Sequence, residues 1–242
     1  MKIQPIILAA GKGTRMENPD LPKVLVPLKG RPILSYLLDT VATAGFLPPV
    51  LVVGYKQELV RTEFGNDYTY IVQDEQLGTG HAVMVCKEQL QGKADMYIIM
   101  YGDQPLWTAE TMQQLVEEHG KTGVDFSLAT VISDDPTFYN FGRIIRGTDG
   151  AIDGIREYKD CSEEEKKITE YNPSMYCCAD SWMWGALEQI RTENVQHEYY
   201  LTDLLSIAIE DNKKVAIVQA TKWQEALGIN TIDQLHEVEK YL

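Results

Sequence analysis

Residues 8 to 16 read Leu-Ala-Ala-Gly-Lys-Gly-Thr-Arg-Met, and their types suit the grip of an anion. Ala9, Ala10, Gly11 and Gly13 carry almost no side-chain bulk, and glycine at 11 and 13 lets the main chain take positive φ and approach a ligand closely. Successive N–H groups in such a turn form an anion-binding nest. Lys12, Arg15 and, a little later, Lys23 bring positive charge to it. The apolar run Ile6-Ile7-Leu8 drives into the turn, which predicts either a phosphate cradle at the carboxyl end of a buried strand or a plain strand-to-helix turn. It is not a P-loop, because Lys12 lies between the glycines, and not a G-x-G-x-x-G fingerprint, because Met16 takes the last place.

Two further stretches could do chemistry. In Gln73-Asp74-Glu75-Gln76-Leu77-Gly78-Thr79-Gly80-His81-Ala82, the glycines bring a backbone close to a flat ligand. The Gln73 amide donates and accepts at once, as recognition of a base requires. The same run also reads as a glycine loop before a helix begun by Thr79 or Gly80. Tyr101-Gly102-Asp103-Gln104-Pro105 ends the apolar strand Met96–Met100. A carboxylate there, beside a phosphate loop, either holds Mg²⁺, which takes one or two protein oxygens plus phosphate and water, or stabilises the turn before Pro105. The four histidines are scattered without metal-ligand spacing, and no G-x-S-x-G or H-E-x-x-H occurs.

The elements that must position these residues alternate. Strands are predicted at Ile6–Leu8, Val50–Val53, Tyr68–Val72, Met96–Met100 and Val124–Ile132. Helices are predicted from Pro32 to Gly45, Gln57–Phe64, His81–Gln89, and after a Thr108 cap. This β-α-β-α rhythm implies an α/β fold, a Rossmann-like, mostly parallel sheet flanked by helices, whose ligands bind beyond the carboxyl ends of the strands. Gly11–Arg15 and Gly102–Asp103 fall there. From Asp134 the strands shorten and turns multiply. A hairpin of Gly142–Arg146 and Ala151–Tyr158, a capping box at Ser162 and a strand Glu170–Cys178 are expected to build a smaller, β-rich lobe. Helices follow at Ser181–Gln189, Thr202–Glu210 (capped by Thr202 or Asp203) and Asp233–Tyr241.

With 242 residues and a formal net charge of −14, the chain can bury a sizeable core but has no basic footprint for nucleic acid. An anion site must therefore be local, made of loop N–H groups, a few cations and a metal ion. No apolar run approaches the ~20 residues that span a bilayer, and Met1-Lys2-Ile3-Gln4-Pro5 lacks a signal-peptide layout. Cys86, Cys161, Cys177 and Cys178 form no C-x-x-C pair and read as reduced core thiols. A cytoplasmic protein is expected.

Leu8–Met16 followed by Leu21-Pro22-Lys23-Val24-Leu25 resembles the signature of sugar-phosphate nucleotidylyltransferases. The Gln73–Ala82 run resembles the uracil-binding segment of bacterial N-acetylglucosamine-1-phosphate uridylyltransferases. The resemblance covers essentially the whole chain, with its motifs in order. It implies catalytic roles for Arg15 on pyrophosphate and Lys23 on phosphate. It implies nucleotide contacts from Leu8, Ala9, Ala10, Gly11, Gly13, Gln73, Gly78 and Thr79, and Mg²⁺ held by Asp103 with Asn230 of Gly228-Ile229-Asn230. Sugar contacts would come from Gly102, Gly142, Glu157 and Asn172. The implied reaction is transfer of UMP from UTP to N-acetylglucosamine 1-phosphate, with pyrophosphate released. The partners are small molecules, with no nucleic acid or membrane, and a homo-oligomer is left open. The chain would be one nucleotidylyltransferase domain over 1–242, with a nucleotide half about 1–133 and a sugar half about 134–242. No hexapeptide-repeat acetyltransferase domain of the bifunctional enzymes is expected within these residues, which leaves open a stand-alone enzyme or a piece of a longer one.

Two departures bear on the sugar. Asn172 is followed by Pro173-Ser174 where the family usually has Thr-Gly, and Phe138–Gly142 is longer than the usual Gly-Tyr-Gly. Another sugar 1-phosphate such as glucose 1-phosphate, or another pyrimidine nucleotide, stays open as the alternative. So does a non-catalytic sugar-nucleotide-binding protein, against which the joint presence of Arg15, Lys23, Asp103 and Asn230 argues.

Overall fold

The computed structural model describes residues 1–13, 16, 20–121, 123–135, 138 and 140–242. Strand β1 (Ile3–Ala9) enters the glycine turn, and a small hairpin of β2 (Pro27–Leu28) and β3 (Arg31–Pro32) precedes helix α1 (Ile33–Thr43). There follow β4 (Val50–Val53), α2 (Gln57–Phe64), β5 (Thr69–Val72), α3 (Thr79–Met84), α4 (Lys87–Leu90), β6 (Met96–Tyr101), α5 (Ala109–His119) and β7 (Val124–Ile132). The remainder supplies β8 (Gly142–Arg146), β9 (Ile152–Arg156), β10 (Glu170–Asn172), β11 (Tyr176–Ala179), α6 (Asp180–Leu187), α7 (Asp203–Glu210), β12 (Lys214–Gln219) and α8 (Ile232–Val238).

Strands β5, β4, β1 and β6 run parallel in that order, and β11 enters antiparallel between β6 and β7. Strand β12 lies parallel to β7. Strands β4 and β6 carry no charged or amide side chain along their length because both faces are covered. Neighbouring residues divide between two cores. Ile7, Val53, Ile98 and Cys177 face a core with α1 and α5, whereas Ile6, Val52, Ile99 and Cys178 face one with α3, α6 and α7. The adjacent cysteines thus point to opposite faces, as a strand requires, and all four thiols are free and buried. The mostly parallel sheet flanked by helices is the fold expected from the sequence. A smaller antiparallel group, β10–β8–β9, extends from the far end of β7.

Several local expectations change. The helix at His81–Gln89 breaks after Met84, where the bonding tightens to Cys86 N–H on Val83 O, 3.0 Å, before α4 begins. The strand Glu170–Cys178 splits at Pro173, which has no N–H for a ladder. Both parts still pair with β7, but five steps from Tyr171 to Tyr176 match only three from Val131 to Leu128, so residues 173–175 bulge. The helix at Asp233–Tyr241 is α8 followed by a 3-10 turn, Glu239–Tyr241. Thr202 stands at the start of α7 without a side-chain cap bond; its hydroxyl turns instead to Glu157. Strand β12 has no counterpart among the sequence expectations.

Candidate active site

A cavity of about 470 Å³ opens beyond the carboxyl ends of β1 and β6 and under the β8–β9–β10 group. Its wall includes Leu8, Ala9, Ala10, Gly11, Lys23, Gln73, Gly78, Thr79, Asp103, Gly142, Glu157, Asn172 and Asn230. Residues scattered over the sequence are therefore brought to one place. Gly13 and Gly102 are not part of that wall, and Arg15 lies outside the described residues. Gly102 packs behind it: a Cβ there would meet Val24, Leu34 and the Leu8 carbonyl at 3.2–3.3 Å.

Lys23 opens a 3-10 turn after Pro22, and its backbone is tight against the glycine turn. Gly13 has φ +64°, and a Cβ on it would fall 2.6 Å from Lys23 Cβ. Of the two glycines expected to use positive φ, Gly13 does; Gly11 does not, and space around it is open. Lys23 Nζ pairs with the Asp103 carboxylate and donates to Asn230 Oδ1 at 2.9 Å. The loop bearing Asn230 is fixed to the turn after β6 by Ile229 N–H donating to Asp103 O, 2.9 Å, and to α8 by Asn230 N–H donating to Gln234 Oε1, 2.7 Å. A carboxylate and an amide oxygen thus converge on one cationic group. Among the described residues no cluster of three or more His, Cys, Asp or Glu side chains stands ready for a metal. The pair fits a hard cation such as Mg²⁺, which needs few protein oxygens when phosphates supply the rest.

Gln73 is almost fully buried at the end of β5. Its Nε2 donates to Gly78 O at 3.0 Å and lies 3.1 Å from His81 Nδ1. Gly78 O can only accept, so the amide orientation is determined. Gly78 has φ +112°, and a Cβ there would strike the Tyr199 main chain at 2.6 Å. Reciprocal bonds, Gly80 N–H to Tyr199 O and Tyr199 N–H to Leu77 O, both 2.8 Å, hold the two segments together. The glycines expected to admit a flat ligand are thus also needed to admit Tyr199. Thr79 Oγ1 accepts from Leu201 N–H at 3.1 Å.

On the opposite lobe, a Cβ on Gly142 would meet Ile155 Cγ2 at 3.0 Å. Burial, with Asp160, Asp203 and Glu198 nearby, pushes the Glu157 carboxyl up, against the opposing bond from Thr202 Oγ1 at 3.2 Å. Asp203 is pushed up to about 6, by burial first and Asp160 second. Asn172 Nδ2 donates to the Tyr176 hydroxyl at 2.6 Å, and Asn172 Oδ1 accepts from Ser174 N–H at 3.1 Å. Tyr101, Gln104, Glu198 and Tyr200 also line the cavity without having been given a role from the sequence, and Ser174, singled out there only as a departure beside Asn172, lines it too. Their position beside the motifs was the available signal: Tyr101 and Gln104 flank Gly102-Asp103, and Ser174 follows Asn172-Pro173.

A family model for the MobA-like NTP transferase domain matches residues 5–197. The chain is 40% identical over 242 residues to the bifunctional protein GlmU of Geobacillus thermodenitrificans, covering 100% of this chain and 52% of that protein. It is 38% identical over 237 residues to the bifunctional protein GlmU of Bacillus subtilis, covering 98% of this chain and 51% of that protein. It spans about half the length of these relatives. A Bacillus anthracis structure assigned as a glucose-1-phosphate thymidylyltransferase, solved with sucrose, superposes with a TM-score of 0.78 over 99% of this chain and 94% of that one. At 19% identity that likeness speaks for the fold. With a strand-end cavity built from the glycine turn, Lys23 and Asp103, and a family match over most of its length, the chain belongs to the MobA-like NTP transferase domain family.

Proposed function

We propose that this chain is a single nucleotidylyltransferase domain that transfers UMP from UTP to N-acetylglucosamine 1-phosphate, giving UDP-N-acetylglucosamine and pyrophosphate. The observation that carries the reading is the convergence of Lys23, Asp103 and Asn230 in a cavity also lined by Gln73, Gly78 and Glu157. The GlmU relatives support it. The substrates and product are soluble, and no helix among the described residues is long and apolar enough to cross a membrane; a cytoplasmic enzyme is the matching proposal.

The sugar phosphate oxygen attacks the α-phosphorus of UTP in line. A new oxygen–phosphorus bond forms as the bond to the β-phosphate bridging oxygen breaks, and pyrophosphate carries away the electron pair. The nucleophile arrives ionised, so the protein supplies positioning and charge rather than a base. Asp103 and Asn230 would hold Mg²⁺, which supplies neutralisation of phosphate charge. The Gly11 turn presents backbone to phosphate, Arg15 meets the leaving pyrophosphate, and Lys23 meets charge near the α-phosphate. Both hydrogens of the Gln73 amide face protein groups, which directs its oxygen to a donor. Uracil N3–H is such a donor, and cytosine N3 is not. Gly142, Glu157 and Asn172 line the sugar end. The bulge at Pro173-Ser174 favours a second reading, the same chemistry on a different sugar 1-phosphate.

The test is pyrophosphate release with UTP and Mg²⁺ across a panel of sugar 1-phosphates, with CTP, dTTP and ATP as controls. Release requiring UTP and N-acetylglucosamine 1-phosphate supports the reading. Preference for another sugar moves the specificity, and no release with any pair overturns the enzyme reading in favour of a binding protein.

A further inference from the structure

Resting on that reading, we propose that Ser174 sets which sugar 1-phosphate the site prefers, by holding Asn172 in its working orientation. Ser174 has φ +64°. It is the one non-glycine residue on the described cavity wall with positive φ. Pro173 followed by a positive-φ residue is the pattern of a type II turn, whose third place favours glycine. An L-residue persists there only when its surroundings hold it, and such positions cluster at functional sites.

The surroundings do hold it. Gln104 Nε2 donates to Pro173 O at 2.7 Å, and Ser174 N–H donates to Asn172 Oδ1 at 3.1 Å. The serine hydroxyl accepts from Asn172 Nδ2 at 3.5 Å, and the same Nδ2 donates to the Tyr176 hydroxyl at 2.6 Å. A hydroxyl at 174 is therefore a joint to the nitrogen end of the Asn172 amide, whose oxygen end is held by the Ser174 N–H. Glycine would suit the backbone better and would remove that joint. The strained serine is explained by the polar network it completes.

The test compares Ser174→Gly with Ser174→Ala. Both remove the hydroxyl, but only glycine relaxes the backbone, so Ser174→Gly is expected to have the higher Tm. Both are expected to raise KM for the sugar 1-phosphate roughly two- to tenfold, the loss of one neutral hydrogen bond. KM for UTP should stay unchanged, and the preference between N-acetylglucosamine 1-phosphate and glucose 1-phosphate should narrow. Calorimetry with UDP-N-acetylglucosamine and with UMP provides a second readout: affinity for the sugar nucleotide falls and that for UMP holds. If Ser174→Gly matches the wild type while Ser174→Ala does not, the backbone matters and the hydroxyl does not, and the proposal is overturned. Unchanged kinetics and sugar-nucleotide affinity in both variants also overturn it. A wild-type protein that binds the sugar nucleotide but releases no pyrophosphate defeats the catalytic reading, while calorimetry still decides the role of Ser174. Failure of the wild type to bind the sugar nucleotide defeats both.

Discussion

Lys23 and Asn230, 207 residues apart, meet at 2.9 Å through ammonium and amide oxygen, and the same ammonium pairs with Asp103. In this arrangement lysine stands where a divalent cation would share the same two oxygens. On the proposed reading, the ammonium and a metal ion would therefore compete in the absence of nucleotide. Lys23→Ala is expected to lower turnover by about 10²–10³, the usual effect of losing one electrostatic donor. It is also expected to tighten binding of Mn²⁺ in the absence of nucleotide, read by electron paramagnetic resonance. Weaker Mn²⁺ binding in the variant would show that Lys23 helps to build the site instead of filling it.

The orientation of Gln73 makes a prediction about the base. Its nitrogen serves Gly78 and His81, so only its oxygen is offered outward. In Gln73→Leu that acceptor is gone. KM for UTP is expected to rise about tenfold, the loss of one good hydrogen bond, and the preference for UTP over CTP to narrow. Steady-state kinetics with both nucleotides decide it. An unchanged UTP/CTP ratio would place base recognition elsewhere on the wall.

What the sequence makes legible follows from how local each cause is. Val50–Val53 and Met96–Met100 read as doubly buried strands because every position is apolar, and the division of Cys177 and Cys178 between two cores follows from strand geometry. The glycine turn and Gly102-Asp103 are legible because strand ends collect ligands in such sheets. Thr202 shows the limit. Local rules favour a helix cap, but a half-buried carboxylate just past β9, Glu157, takes its hydroxyl. The bulge at Pro173-Ser174 depends on register against β7, and the ion pair of Lys23 on a turn brought from elsewhere. Strand β12 is partly exposed, with weak alternation, and forms because β7 offers it a parallel edge.

Gln104 ties together three segments of the site. Its Nε2 donates to Pro173 O at 2.7 Å and Ala226 O at 3.2 Å, and its Oε1 accepts from Trp107 Nε1 at 3.2 Å, all in the interior. Gln104→Leu keeps the bulk but leaves two carbonyls and an indole N–H without this partner. At about 1–3 kcal/mol for each buried group left unsatisfied, a loss of about 3 kcal/mol or more is expected in urea denaturation. Trp107→Phe removes only one of the three bonds and should lose clearly less. Equal losses in the two variants would mean that packing around Trp107, and not the amide, holds these segments together.

His119 connects stability to pH. It lies near the end of α5 with Nδ1 2.9 Å from Ser127 Oγ on β7, and burial pushes its pKa down to about 4, partly opposed by Asp125. An unfolded histidine titrates near 6.5. Above that pH neither state carries the extra proton, and the full stability is present. As pH falls from about 6.5 toward 4, the unfolded chain takes up a proton that the fold refuses, so stability declines, by about 3 kcal/mol in all. Asp203, raised to about 6, works in the opposite sense over part of this range, because the fold holds its proton more readily than the unfolded chain. The measurement is therefore a difference between proteins. His119→Asn retains a polar group near the Nδ1 position for Ser127 and removes the titration. Urea denaturation from pH 7 to pH 4 should show wild type losing about 3 kcal/mol more than the variant. Parallel pH profiles would show that His119 is protonated as readily in the fold as in the unfolded chain.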